Sequence, residues 1–173
     1  QVLVYTRSEQ VRLELNGKII GIKDVSEKTK LTAQFEVPYE PGELTAISLS
    51  KGKEVARQVI KTTGSPHHLK VIPEKEALSV IGDELAWFNI EIQDENGLLV
   101  PDARIPVSFE ISGAKLQAVA NSNPRDMHSF QQPTVTTFRG KCQVIVRVEK
   151  KGMISVSTKA IGLISGKSDI TVY

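Results

Sequence analysis

Apolar and polar side chains alternate along most of this chain. Val11, Leu13 and Leu15 are separated by Arg12 and Glu14, and Ala33, Phe35 and Val37 by Gln34 and Glu36. Val107, Phe109 and Ile111 repeat the pattern, as do Cys142, Val144, Val146 and Val148, and then Ile154, Val156 and Thr158. Successive Cβ atoms of a strand point to opposite faces, so a period of two marks strands with one face buried and one wet. The apolar spacing never settles to three and four, and no helix is predicted.

Turn chemistry punctuates these strands. Asn16-Gly17 and Asn96-Gly97 are the strongest hairpin signals, because a type I′ turn needs two residues that tolerate positive φ. Pro41-Gly42, Lys51-Gly52, Arg139-Gly140 and Lys151-Gly152 supply further breaks. Many short strands at this spacing predict an all-β, antiparallel sandwich architecture. The segment from Thr62 to Pro66 (TTGSP) reads as a domain junction: Pro66 cannot donate to a ladder, Gly64 relieves backbone restraint, and the strand pattern restarts at His68. Two tandem domains are therefore expected, at residues 1–63 and 66–173. The first is short enough to bury only about 60% of its unfolded surface and is expected to lean on a neighbour.

Composition narrows the function classes. Lys and Arg total 22 against 20 Asp and Glu, a net charge of +2, and the two signs are interspersed. Nucleic acid needs a concentrated cationic footprint, so it is not an expected partner. No apolar run approaches the roughly 18 to 20 residues of a membrane helix. Cys142 is the one cysteine, which leaves neither an intrachain disulfide nor a thiolate metal cluster. Gln1 opens the chain without an initiator Met or a signal-peptide pattern, and a piece of a larger protein is expected.

Candidate chemistry concentrates in NSNPRDMHSF, Asn121 to Phe130. Asp126 and His128 have the residue types of an acid/base pair, but no nucleophile or third orienting group accompanies them. The readings left open are a solvated loop and a contact with another domain or a glycan, through Asn121, Asp126 and His128. His67 and His68, taken as strand neighbours, would point to opposite faces and could not share an ion. Asp94-Glu95-Asn96-Gly97 resembles the start of a calcium loop but lacks the later ligands, and it reads as a hairpin turn. Cys142 shares the parity of Val144 and Val146 and is expected to be a buried, unactivated thiol. Trp87 has the opposite parity to Ala86, Phe88, Ile90 and Ile92. It is expected outside the core, packing at a sandwich edge, meeting another domain, or offering a platform for a sugar.

VRLELNGKIIG (residues 11–21), with the segment from Phe35 to Gly64 that contains VPYEPGEL, resembles the immunoglobulin-like domain that follows the catalytic barrel in bacterial glycoside hydrolases of family 2, the β-galactosidase-type enzymes. SPHHLKVIPEKEAL and ELAWFNIEIQDENGLLVPDARIPVSFEISG are similar to the C-terminal immunoglobulin-like domain of the same enzymes, and also to the sandwiches of bacterial adhesins. In the family the loop corresponding to residues 121–130 commonly reads Gly-Asn-Gly-Asp-Pro, some polar residues, then Phe. Asn121, Pro124 and Phe130 fit; Ala120 and Ser122 stand at the glycines, Asn123 replaces the acid, and His128 replaces a polar residue that is often Glu.

The resemblance implies two tandem immunoglobulin-like sandwiches from the C-terminal region of a retaining glycosidase. Retaining hydrolysis uses two carboxylates about 5 to 5.5 Å apart, which the family carries on a barrel of roughly 250 residues. No such barrel is present, and Glu74, Glu76, Glu84, Glu91 and Glu95 fall in turns or on outward strand positions. The chain itself is expected to have no catalytic residue, cofactor or metal. Its implied partners are the missing N-terminal and catalytic domains of the parent, and carbohydrate. The competing reading is a pair of adhesin-like binding modules for a glycan or a protein. Families of this kind are often exported, which points to the bacterial periplasm or exterior.

Overall fold

The computed structural model describes residues 1–79 and 84–173. Its described residues form fifteen strands and one short 3-10 turn at Glu27–Thr29, without an α-helix. They divide into two compact units, Gln1–Thr62 and Thr63–Tyr173. Each unit is an immunoglobulin-like β-sandwich.

The first unit contains β1 (Val2–Tyr5), β2 (Gln10–Leu15), β3 (Lys18–Asp24), β4 (Thr32–Phe35), β5 (Glu43–Ser50) and β6 (Lys53–Lys61). A four-stranded antiparallel sheet runs β3-β2-β5-β6, and β1 pairs with β4 in a second sheet. Alternation sends Val11 and Leu13 of β2 into one core with Ala33 and Phe35 of β4. Arg12 and Glu14 take the opposite face and pair with each other at 2.7 Å. Because the two-stranded sheet is narrower than its partner, an apolar groove of about 320 Å³ stays open beside β1, lined by Val2, Val4, Tyr5, Leu44, Ala46 and Ile60.

The turn from β2 to β3 has positive φ at both Asn16 (51°) and Gly17 (76°), as a type I′ turn requires. The Asn16 side chain has a second task. Its Oδ1 accepts the Glu43 N–H at 2.8 Å, and its Nδ2 donates to the Pro41 carbonyl at 3.1 Å and to Glu40 Oε1 at 3.0 Å. Gly42 lies against this amide with φ 139°, and a Cβ there would fall 1.8 Å from Asn16 Oδ1. The LNGK hairpin and the VPYEPGEL segment are thus one interlocked piece.

The second unit contains β7 (His68–Pro73), β8 (Ala77–Leu78), β9 (Leu85–Gln93), β10 (Pro106–Ser112), β11 (Lys115–Ala120), β12 (Thr134–Thr136), β13 (Lys141–Arg147), β14 (Gly152–Lys159) and β15 (Gly166–Val172). Its sheets run β11-β13-β9-β7 and β12-β10-β14-β15-β8. The pairing of β8 with β15 is parallel, a departure from the expected antiparallel order. Phe88, Ile90 and Ile92 of β9 pack with Val144 and Val146 of β13 and with Ile154 and Val156 of β14 in a single core. Cys142 belongs to that core, and burial pushes its thiol up to about 12.

Asn96-Gly97 does not form a type I′ turn. Of the two, Gly97 alone has positive φ, 78°, and its N–H closes the turn on the Asp94 carbonyl at 3.1 Å. Asp94 is the reason. The residue is 1% exposed, and its carboxylate accepts three backbone N–H groups: Asn96 and Leu98 at Oδ1, each at 2.9 Å, and Gly64 at Oδ2, at 2.8 Å. The Gly64 and Leu98 donors hold the carboxyl below its ordinary range.

Two expectations follow for stability. Gly42→Ala should destabilise the first unit by more than about 1 kcal/mol, because alanine is strained at this φ and collides with Asn16. Urea unfolding of Asn16→Gly with Gly42→Ala should show part of that loss recovered; full additivity of the two changes would disprove the interlock. Cys142→Ser should cost about 1–3 kcal/mol, since a hydroxyl would be buried among valines without an assured partner. The native thiol should resist a bulky labelling reagent.

Candidate functional site

β11 ends at Ala120, and the chain then crosses to β12 through the loop that carries the polar cluster. Three of the candidate residues meet there. Asn121 Nδ2 donates to Asp126 Oδ2 at 2.5 Å and to the Thr136 carbonyl at 2.7 Å, while Asn121 Oδ1 accepts the Asn123 N–H at 3.0 Å. Asp126 Oδ1 accepts the His128 backbone N–H at 3.0 Å and stands 2.6 Å from His128 Nδ1. Asp126 and Asn121 are therefore fasteners of the loop and not solvated groups: the Asp126 side chain is 16% exposed, against 81% for His128.

The depression over this loop has a volume of about 310 Å³ and is lined by Arg104, Asn121, Asn123, Arg125, Asp126, His128, Thr136 and Phe138, among others. Arg104, Thr137 and Phe138 carried no motif in the sequence. Thr137 fixes the floor: its hydroxyl donates to the Ala103 carbonyl and accepts the Ile105 N–H, both at 2.9 Å. Only the cross-strand register brings these residues under the loop, so local sequence could not reveal them.

The His128 imidazole, the His128 N–H and the Asn121 amide, in that order, hold the Asp126 carboxyl down to about 2. A general acid or base works best with a pKa near the operating pH, and this carboxylate stays ionised far above its own. Among the described residues, Asp126 is the one carboxylate lining the depression, and these residues do not assemble the pair needed for retaining hydrolysis. Among the described residues, no group of three His, Cys, Asp or Glu side chains could hold a metal ion. His67 and His68 are closer than expected, with Nδ1 atoms 3.4 Å apart and rings edge to face at 5.6 Å. Strand parity does not separate them because β7 begins at His68.

Trp87 stands apart from this loop. It lies on the outer face of the β11-β13-β9-β7 sheet, 38% exposed, while Ala86 and Phe88 point into the core. One side of the indole lines a crevice of about 170 Å³ with Glu74, Lys75, Leu78 and Leu85.

Residues 69–169, more than half of the chain, match the family model described as glycoside hydrolase family 2 C-terminal domain 5. The chain belongs to this glycoside hydrolase family 2 domain family. Residues 1–56 match a second model, a domain of unknown function (DUF4982). β-Galactosidase BoGH2A of Bacteroides ovatus is 32% identical over 161 residues, covering 92% of this chain and 19% of that protein. A β-glucuronidase of Formosa agariphila is 29% identical over 112 residues, covering 64% of this chain and 11% of that protein. The crystal structure of a glycosyl hydrolase family 2 member from Bacteroides cellulosilyticus superposes with a TM-score of 0.94 at 31% identity, over 99% of this chain and 22% of that one. The chain spans about a quarter or less of the curated relatives it matches. In this chain the 121–130 loop is held by Asn121 and Asp126, which bind backbone groups directly.

The Asp126 carboxyl supports a check by pH. Its folded pKa is depressed, so its stabilising contribution is complete above the unfolded value and is lost as pH falls through about 2. NMR titration of the side-chain carboxyl should give a midpoint near that value, and Asn121→Ala or His128→Ala should raise it. An ordinary carboxylate midpoint in the wild type would show that the loop is not closed in this way.

Proposed function

We propose that the chain is the non-catalytic C-terminal region of a retaining family 2 glycosidase that acts on β-galactosides or β-glucuronides. The observation that carries this reading is the match over 92% of the chain to a β-galactosidase of which it covers 19%. The chemistry of the loop agrees: a carboxylate committed to His128 and Asn121 of its own loop suits a scaffold and not a reacting centre. In this reading the two sandwiches contact the N-terminal and catalytic domains of the parent, and the loop with Asn121, Asp126 and His128 is one of the contact surfaces. The domain assignment that goes with it is residues 1–63 following the barrel and 66–173 as the C-terminal domain. Carbohydrate is the second expected partner.

The pure chain should therefore turn over neither an aryl β-galactoside nor an aryl β-glucuronide, and the gene upstream of Gln1 should encode a barrel with two glutamates. Turnover abolished by one substitution within residues 1–173 would overturn the non-catalytic assignment. Further sandwiches upstream in place of a barrel would establish the adhesin-like reading instead.

A further inference from the structure

The outer face of the β11-β13-β9-β7 sheet carries an arrangement that no role described above uses. Alternation along β9 turns Trp87, Asn89 and Glu91 outward, and their register partners on β13 are Ile145, Gln143 and Lys141. On the other flank, Ile72 of β7 lies opposite Asn89. The face therefore grades from apolar, at Trp87 and Ile145, through a pair of amides, to an ion pair in which Lys141 Nζ meets Glu91 Oε1 at 2.8 Å. Glu91 also accepts Gln93 Nε2 at 3.0 Å, so the charge at that end is spent.

The amides are only half spent. Gln143 Nε2 donates to Asn89 Oδ1 at 2.9 Å. Among the described residues this is the one side-chain hydrogen bond that either amide makes, and the Trp87 indole N–H has no partner. One N–H₂ donor and one carbonyl acceptor remain side by side, and reversing both amide assignments would leave the same complement. Adjacent hydroxyls of a sugar ring match such a pair, one accepting and the next donating. Trp87 lies two residues before Asn89 on the same strand, about 7 Å along it. An aromatic face at that distance can take the C–H face of the sugar whose hydroxyls reach the amides. Strands of a packed sheet hold the three backbone positions in fixed relation, and the Gln143–Asn89 hydrogen bond ties the two amides together.

We propose that this face binds a neutral pyranose glycan, with Trp87 stacking on one ring and Asn89 and Gln143 bridging vicinal hydroxyls. The proposal deepens the expectation of a carbohydrate partner but does not require the parent to be a glycosidase. Its failure would leave the non-catalytic reading untouched. Trp87 is the sole tryptophan, so intrinsic fluorescence reads this face directly.

Titrating the chain with cellotetraose and with β-1,4-galactotetraose should give a saturable fluorescence change for at least one of them. Backbone amide shifts should move on β9 and β13. Asn89→Ala and Gln143→Ala should each weaken binding by about threefold to tenfold, the worth of one lost hydrogen bond. Trp87→Ala, followed by amide shifts, should abolish binding, and Trp87→Phe should retain part of it. Three results would overturn the proposal: no saturable change at millimolar sugar, binding unaltered in Asn89→Ala and Trp87→Phe, or binding confined to acidic oligosaccharides such as glucuronate-containing ones.

Discussion

A sandwich of short strands leaves backbone donors at every strand end that no ladder can satisfy, and buried backbone groups must be satisfied. This chain meets that constraint with single Asn and Asp side chains. Asp94 gathers the N–H groups of Gly64, Asn96 and Leu98. Asn16 takes the N–H of Glu43 and gives to the carbonyl of Pro41. Asn121 and Asp126 do the same for the loop between β11 and β12. A short polar side chain can reach the backbone two to four residues away, which is why these residue types recur at turns. The long-range bonds, Asn16 to Glu43 and Asp94 to Gly64, go further and tie separate segments of one unit together.

How much of this was legible in the sequence depends on whether the cause is local. The strands were legible because parity is local: Phe88, Ile90 and Ile92 point in and Trp87 points out, as the spacing requires. The turn at Asn16-Gly17 was legible for the same reason. Asn96-Gly97 presents the same dipeptide and takes a different turn, because the Asp94 carboxylate claims the Asn96 and Leu98 N–H groups and shifts the positive φ to Gly97 alone. The Gly64 contact that completes that carboxylate is distant in sequence and has no local signal. At the candidate loop, residue types were visible but their allegiance was not. Whether Asp126 faces water or the loop depends on Asn121 and on Thr136, a residue of another strand.

The family resemblance has a physical counterpart in the first unit. LNGK and VPYEPGEL are separated in sequence, yet Asn16 must be an amide for Glu43 and Pro41, and Gly42 must lack a Cβ to lie against it. Two such motifs are constrained together by one contact. The pairing is more specific than either motif alone, since a hairpin dipeptide or a Pro-Gly turn recurs in unrelated sandwiches.

Hydrogen bonding also separates the 121–130 loop from the outer face of β9 and β13. The loop is rich in polar residues, but its carboxylate and its first amide are committed to holding the loop itself, and the low Asp126 pKa is the electrostatic record of that commitment. Polarity there describes a fold already satisfied. The outer face of β9 and β13 is poorer in charge and looks blander in sequence, yet Asn89, Gln143 and the indole of Trp87 keep hydrogen-bonding capacity that no described residue uses. Water meets that capacity in the free protein, and releasing water costs least where donor, acceptor and aromatic face are prearranged for one ligand. Residue type points to the loop, whereas unspent hydrogen-bonding capacity points to the sheet.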